Sequence, residues 1–298
     1  MRFFSDKHRP VHMGPYPCER LARLTECPDL SGVPNSPQLL FDRPDDPRSI
    51  INAMREHQAM LDAIRDGLIN KAVADAPVDP VERANHLKAF GYFSDAAVVG
   101  VCQLPQAARL DQPYHNPDVA RLSHDLKTRQ TKTLASGIDM IMADLKESTL
   151  APPVDVTDHT HALVLLYENP RAPDDDELGT GWILDAQQHR AGLLAAEAAI
   201  VLANYLRLLG YASSGHTVSS SDVDLNKLAV SAGLACVEDG VLTHPYIGTR
   251  FGLAAVTTSF EMAIDQPLAP MDAQPKSAFG LGWKVGTASA KNLSLIHI

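Results

Sequence analysis

Apolar residues recur at helical spacing between Ser49 and Ala74, at Ile50, Met54, Leu61, Ile64 and Leu68, which predicts a helix there. Asp79-Pro80 predicts a second helix start, because proline at the first helical position loses no needed donor. That helix runs to about Phe90 and is expected to stop at Gly91. Ala96 to Cys102 is a short apolar run with three valines and reads as a buried strand. Asn116-Pro117 opens a helix expected to continue to about Lys146, with a break near Gly137. His161 to Glu168 is apolar without alternation, the pattern of a central strand buried on both faces. Asp185 is the expected cap of a long helix ending at Gly210. Ser221 with Asp224 resembles a capping box for a helix ending near Gly233, and Ala254 to Ser259 is the last predicted strand. Long helices with few strands fit an α/β or α+β sandwich and exclude an all-β barrel.

Residues 1–47 lack such periodicity. They hold Pro10, Pro15, Pro17, Pro28, Pro34, Pro37, Pro44 and Pro47, and proline both fixes φ and removes a donor. This is an extended arm. It carries Phe3, Phe4, Leu21, Leu24, Leu39, Leu40 and Phe41, so it is expected to pack along the domain rather than trail from it. Residues 48–283 form the expected folded module. Asn169 to Gly181 reads as a polar loop whose carboxylates, Asp174, Asp175 and Asp176, are solvated.

With 45% apolar residues in 298, the chain is expected to build a substantial core. Its formal charge of −10 weighs against a nucleic-acid partner. The run from Ala191 to Leu209 is apolar but contains Glu197, Asn204 and Arg207, so a buried core helix explains it better than a membrane span. The N-terminus shows neither a signal-length apolar run nor a twin arginine, which points to the cytoplasm. The four cysteines, Cys18, Cys27, Cys102 and Cys236, form no Cys-x-x-Cys pair and are expected to be reduced thiols that hold neither zinc nor an iron–sulfur cluster.

Candidate chemistry is sparse. His159 and His161, two apart at a strand entrance, face one side and supply the beginning of a metal site without a third ligand. No glycine-rich phosphate loop and no Gly-x-Ser-x-Gly elbow is present. Ser213 to Asp222 is hydroxyl-rich and leads towards a helix start. It suits either an oxyanion or amide of a cofactor at the helix N-terminus, or plain capping and a surface turn.

Several segments appear in a recognisable order: Ala203-Asn204-Tyr205-Leu206-Arg207-Leu208-Leu209-Gly210-Tyr211, Leu228-Ala229-Val230-Ser231-Ala232-Gly233-Leu234, Gly248-Thr249-Arg250-Phe251-Gly252-Leu253, and Val256-Thr257-Thr258-Ser259-Phe260 with Asp265-Gln266-Pro267-Leu268. This order resembles the cobalamin-binding module of reductive dehalogenases and the related epoxyqueuosine reductases. Phe3-Phe4-Ser5, Gly14-Pro15-Tyr16-Pro17, His86-Leu87-Lys88-Ala89-Phe90-Gly91-Tyr92-Phe93 and Lys127-Thr128-Arg129-Gln130-Thr131-Lys132 resemble the N-terminal part of the cytoplasmic, self-sufficient branch.

The resemblance implies an α+β fold with a mixed or mostly antiparallel sheet flanked by long helices, in a nitroreductase-like cobalamin-module topology. It implies that residues 48–283 are a degenerate first copy of that module, with Asn226 and Arg250 in slots that look functional in single-copy relatives. No catalytic or metal-binding residue is expected here. For the full-length protein it implies cobalamin, two 4Fe–4S clusters and reductive dehalogenation of organohalides. The expected partners are C-terminal cobalamin and ferredoxin-like domains of the same chain, with no cofactor on this part, no nucleic acid and no membrane. Residues 284–298 are expected to be a non-native or frayed tail, since Leu293 to Ile298 match the translation of a transposon end used in sequencing libraries. The alternatives are a stand-alone cobalamin-binding or trafficking module and a flavin nitroreductase-like enzyme.

Overall fold

The computed structural model describes residues 8–128, 155–174 and 176–278. In chain order the strands are β1 (Val98–Gln103), β2 (Arg109–Tyr114), β3 (His161–Glu168), β4 (Ser213–His216), β5 (Ser221–Val223), β6 (Cys236–Glu238), β7 (Val241–Thr243) and β8 (Phe251–Thr258). The helices are α1 (Ile50–Ala63), α2 (Pro80–Phe93), α3 (Pro117–Thr128), α4 (Gln187–Leu208) and α5 (Leu225–Ser231). The fold is α+β. A four-stranded sheet of order β1-β3-β8-β4 forms the centre, and every pairing in it is antiparallel. Two small antiparallel pairs, β2 with β5 and β6 with β7, flank it.

β3 sits inside the sheet, paired on both sides, and only its last residue, Glu168, is exposed. Alternation sorts its side chains. Leu163, Leu165 and Tyr167 join one core with Ala254 and Val256 of β8 and the alanines of α4. Ala162, Val164 and Leu166 join a second core with α5 and with Leu21, Leu30 and Val33 of the arm. α4 is covered on two sides, by the sheet on one and by Phe41, Ile51, Met54 and Leu61 on the other, while Glu197, Val201, Asn204 and Leu208 face solvent. By length and composition α4 alone, among the described residues, is apolar enough to cross a membrane, but most of it is buried inside the protein. Its closest approach is at Gly252, where an added Cβ would lie 2.6 Å from the backbone nitrogen of Gly192.

Several boundaries differ from the sequence pattern. The first helix ends at Ala63, not Ala74, because the next residues turn inward and Arg65 pairs with Asp66 and Asp222. α2 continues through Gly91 to Phe93; this glycine is a packing contact, since a Cβ there would come 2.8 Å from Val99 and 2.9 Å from Leu165. Asp185 does not cap α4. It has φ near 60° and pairs with Arg43, while Ala186 takes the cap position. Nor do Ser221 and Asp224 form a capping box: Ser221 lies in β5, and Asp224 alone caps α5 through the amides of Asn226 and Lys227. β8 begins at Phe251, three residues before the predicted start. The expected continuation of α3 to Lys146, and the tail at 284–298, fall outside the described residues.

The arm packs on the domain as expected. Leu21, Leu30, Val33 and Phe41 are buried, and backbone bonds tie Leu24 to Pro267 and Leu39 to Val218, both at 2.8 Å.

Candidate functional site

The segment around Asn226 is built by the start of α5. Asp224 is buried and accepts the amides of Asn226 and Lys227, each at 3.0 Å, and of Ser36 at 3.1 Å. Ser36 Oγ in turn accepts the amide of Leu225 at 3.1 Å. The Asn226 side-chain amide donates to the Pro34 carbonyl at 3.0 Å. The arm is therefore stitched to the first turn of α5 by three hydrogen bonds, one of them from the free Leu225 amide that a helix start leaves available. Beside this seam lies a cleft of about 340 Å³, bordered by Asn35, Ser36, Asn226, Val241, Thr249 and Phe251. That is the low end of the ~300–1,000 Å³ range of pockets for drug-sized ligands.

Arg250 does not border this cleft, although its neighbours Thr249 and Phe251 do. It is exposed and makes one long bond, 3.4 Å, to the Pro170 carbonyl. The structure thus places the two sequence candidates in different surroundings: Asn226 half-buried and engaged by the arm, Arg250 on the surface.

Ser213 to Asp222 is not a surface turn at a helix N-terminus. It forms β4, a tight bend and β5, and apart from the half-buried Val218 all of it is buried. The hydroxyls of Thr217 and Ser219 point inward to Asp62. Oδ1 of Asp62 accepts from Thr217 at 2.7 Å and Gln58 at 2.9 Å; Oδ2 accepts from Ser219 at 2.5 Å and Asn116 at 2.8 Å. Burial pushes the Asp62 carboxyl pKa up, and the four donors pull it down.

A second polar group sits under the same bend. Thr257 Oγ1 lies 2.7 Å from both His159 Nδ1 and His216 Nε2. The His216 ring is closed by the Asp222 amide on Nδ1 at 3.3 Å, and Asp222 pairs with Arg65. Burial lowers His216 well below the ordinary histidine range and takes His159 down to about 4, so both rings are neutral near pH 7. His161 Nδ1 contacts Thr160 Oγ1 at 2.8 Å, and no cluster of three or more metal-ligating side chains exists among the described residues.

The sequence pattern missed Arg65 and Arg207. Arg207, 3% exposed near the end of α4, donates from Nη1 to the carbonyls of Arg65 and Ser213, both at 3.0 Å. An arginine inside an apolar helical stripe was the available signal. All four cysteines are free thiols, and burial raises Cys18 to about 12 and Cys236 to about 11, leaving them protonated and unreactive near neutrality.

No family model matches this chain, and no curated protein matches it. Solved structures do. The chain is similar to the catabolic reductive dehalogenase NpRdhA, with a TM-score of 0.67 and 32% identity over 92% of this chain and 32% of that one. A reductive dehalogenase structure described in terms of a mechanism for B12-dependent dehalogenation gives the same values. The chain therefore spans about a third of the length of these relatives. An epoxyqueuosine reductase is a slight match, with a TM-score of 0.40 and 14% identity over 64% of this chain and 49% of that one.

Proposed function

We propose that this chain is the N-terminal scaffold of a dehalogenase-like oxidoreductase, a degenerate cobalamin-module fold that supports the reductive dehalogenation of organohalides without performing it. In this reading the chemistry belongs to cobalamin and two 4Fe–4S clusters held by C-terminal cobalamin and ferredoxin-like domains of the same cytoplasmic protein. The similarity to reductive dehalogenases at 32% identity, over 92% of this chain but only 32% of theirs, carries the proposal.

Two features support the scaffold role. A corrinoid with its nucleotide loop is several times the size of a drug-like molecule, and the cleft beside Asn226 has about 340 Å³. The Asn226 amide, which a cofactor would need free, is bonded to Pro34. The residues present do not fit the group, and no reaction step is assigned to them. The thiols at Cys18, Cys27, Cys102 and Cys236 are scattered, whereas an iron–sulfur cluster takes four cysteine thiolates gathered at one site.

The test is titration of the purified chain with hydroxocobalamin, followed by absorbance and calorimetry, and a halide-release assay with a strong reductant. The expected result is weak or no binding and halide release no greater than that of free cobalamin. Stoichiometric binding at micromolar concentration would instead identify a stand-alone cobalamin-binding module, and flavin copurifying with a dimer would identify the nitroreductase-like alternative.

A further inference from the structure

We infer that the buried His159 ring holds an internal water on its Nε2, at the end of a hydrogen-bond relay of fixed direction that runs from Asp222 through His216 and Thr257.

The direction follows from counting protons. A neutral imidazole carries one N–H and one acceptor nitrogen. The Asp222 backbone N–H donates to His216 Nδ1 at 3.3 Å, so that nitrogen is the acceptor and the His216 proton is on Nε2. Nε2 then donates to Thr257 Oγ1 at 2.7 Å. The threonine hydroxyl has one proton, and among the described residues Oγ1 has no other partner than His159 Nδ1, at 2.7 Å, which therefore accepts it. The His159 proton is therefore on Nε2. The Asp222 carboxylate does not reverse this order. Its Oδ2 lies 3.7 Å from His216 Nδ1, farther than the amide, and is held by Arg65.

The relay ends on a donor that nothing among the described residues receives. His159 is 1% exposed, and its Nε2 has no hydrogen-bond partner among the described residues. Ser214 Oγ, Arg65 Nη1 and Asp66 Oδ1, on neighbouring segments, are likewise buried with no partner among the described residues. Ser214 is the cross-strand partner of Thr257 and so shares its face of the sheet. Arg65 joins Asp66 at 3.1 Å and also joins Asp222. Asp66 acts electrostatically on both His159 and Arg207. Buried polar groups in native proteins find partners, and water is the usual one where protein supplies none.

The occupant must accept from His159 Nε2, which a water oxygen does. The site goes beyond the scaffold reading and does not depend on it.

The test uses the whole chain labelled with ¹⁵N. Long-range ¹H–¹⁵N spectra at pH 7 should show both His159 and His216 protonated at Nε2 and bare at Nδ1. A water cross-relaxation spectrum should show a long-lived water signal on the His159 Nε2 proton. Thr257→Val removes both relay bonds and should release His159 into a mixture of tautomers, while Thr257→Ser should preserve the wild-type pattern. A His159 ring protonated at Nδ1, a charged ring at pH 7, or no bound-water signal at Nε2 overturns the inference. These readings come from the wild-type chain and stand even if Thr257→Val does not fold.

Discussion

The side-chain amide of Asn226 donates to the carbonyl of Pro34 across 192 residues of sequence, at 3.0 Å. This bond fastens the proline-rich arm to the start of α5 at the edge of the cleft. Asn226→Ala should therefore lower stability by about 1 kcal/mol, the usual net worth of one such bond, and should raise amide exchange across residues 34–39. Arg250→Ala, by contrast, removes a single long bond at the surface and should change stability by less than about 0.5 kcal/mol. Urea denaturation of both variants checks the pair. An unchanged midpoint for Asn226→Ala would remove the structural role given to it.

Asp62 is the strongest anchor of the bend between β4 and β5. Four donors converge on its two oxygens, and none of them is charged. Asp62→Asn sets an amide N–H₂ against two of those donors, leaving buried groups unpaired. The expected loss is at least about 2 kcal/mol, given roughly 1–3 kcal/mol for each unsatisfied buried group. Thermal or urea unfolding measures it. A loss below about 0.5 kcal/mol would mean the bend is held by packing alone.

Gly252 sets the distance between α4 and the sheet. A methyl group there meets backbone atoms of Ala191 and Gly192 at 2.8 and 2.6 Å, and backbone cannot rotate aside as a side chain does. Gly252→Ala should cost about 1–3 kcal/mol through overpacking. The neighbouring Ala254, already in contact with α4, provides the comparison: Ala254→Gly should cost less than Gly252→Ala in the same unfolding assay.

Acid should weaken the fold through its buried histidines. Burial lowers His159 to about 4 and His244 to about 3, and pushes His216 down as well, from an ordinary value of 6.5. Below pH 6.5 the unfolded chain takes up protons that the folded rings refuse. Stability is thus complete above about pH 6.5 and is lost as pH falls through about 4. The His159 shift alone corresponds to something on the order of 3 kcal/mol, at 1.36 kcal/mol per pH unit. Urea midpoints at pH 7 and pH 4.5 should differ accordingly, with a smaller difference in His159→Asn, whose Oδ1 can still accept from Thr257. A midpoint that is flat or rises towards pH 4.5 would contradict this account.

What the sequence determined by itself is the part of the fold written in local periodicity. His161–Glu168 matches β3 at both ends because the uninterrupted apolar run of six residues from Ala162 to Tyr167 needs cover on both faces, whichever elements supply it. The alanine- and leucine-rich run at 187–208 had to be a buried helix for the same reason. The scatter of four cysteines likewise settled, without coordinates, that no clustered-thiolate motif is written in this chain. Tertiary structure decided everything that depends on partners distant along the chain. Ser213 to Asp222 carries the composition of a surface turn, and only the arrival of Asp62 from α1 turns its hydroxyls inward. Arg65 and Arg207 carry the composition of exposed cations, and they are buried because the carboxylates of Asp66 and Asp222 meet Arg65 and the backbone carbonyls of Arg65 and Ser213 meet Arg207. His159 and His216 lie 98 and 41 residues from the threonine they share. A hydrogen bond acts over about 3 Å in space and leaves no period in the sequence, so no pattern of polar and apolar positions announces it.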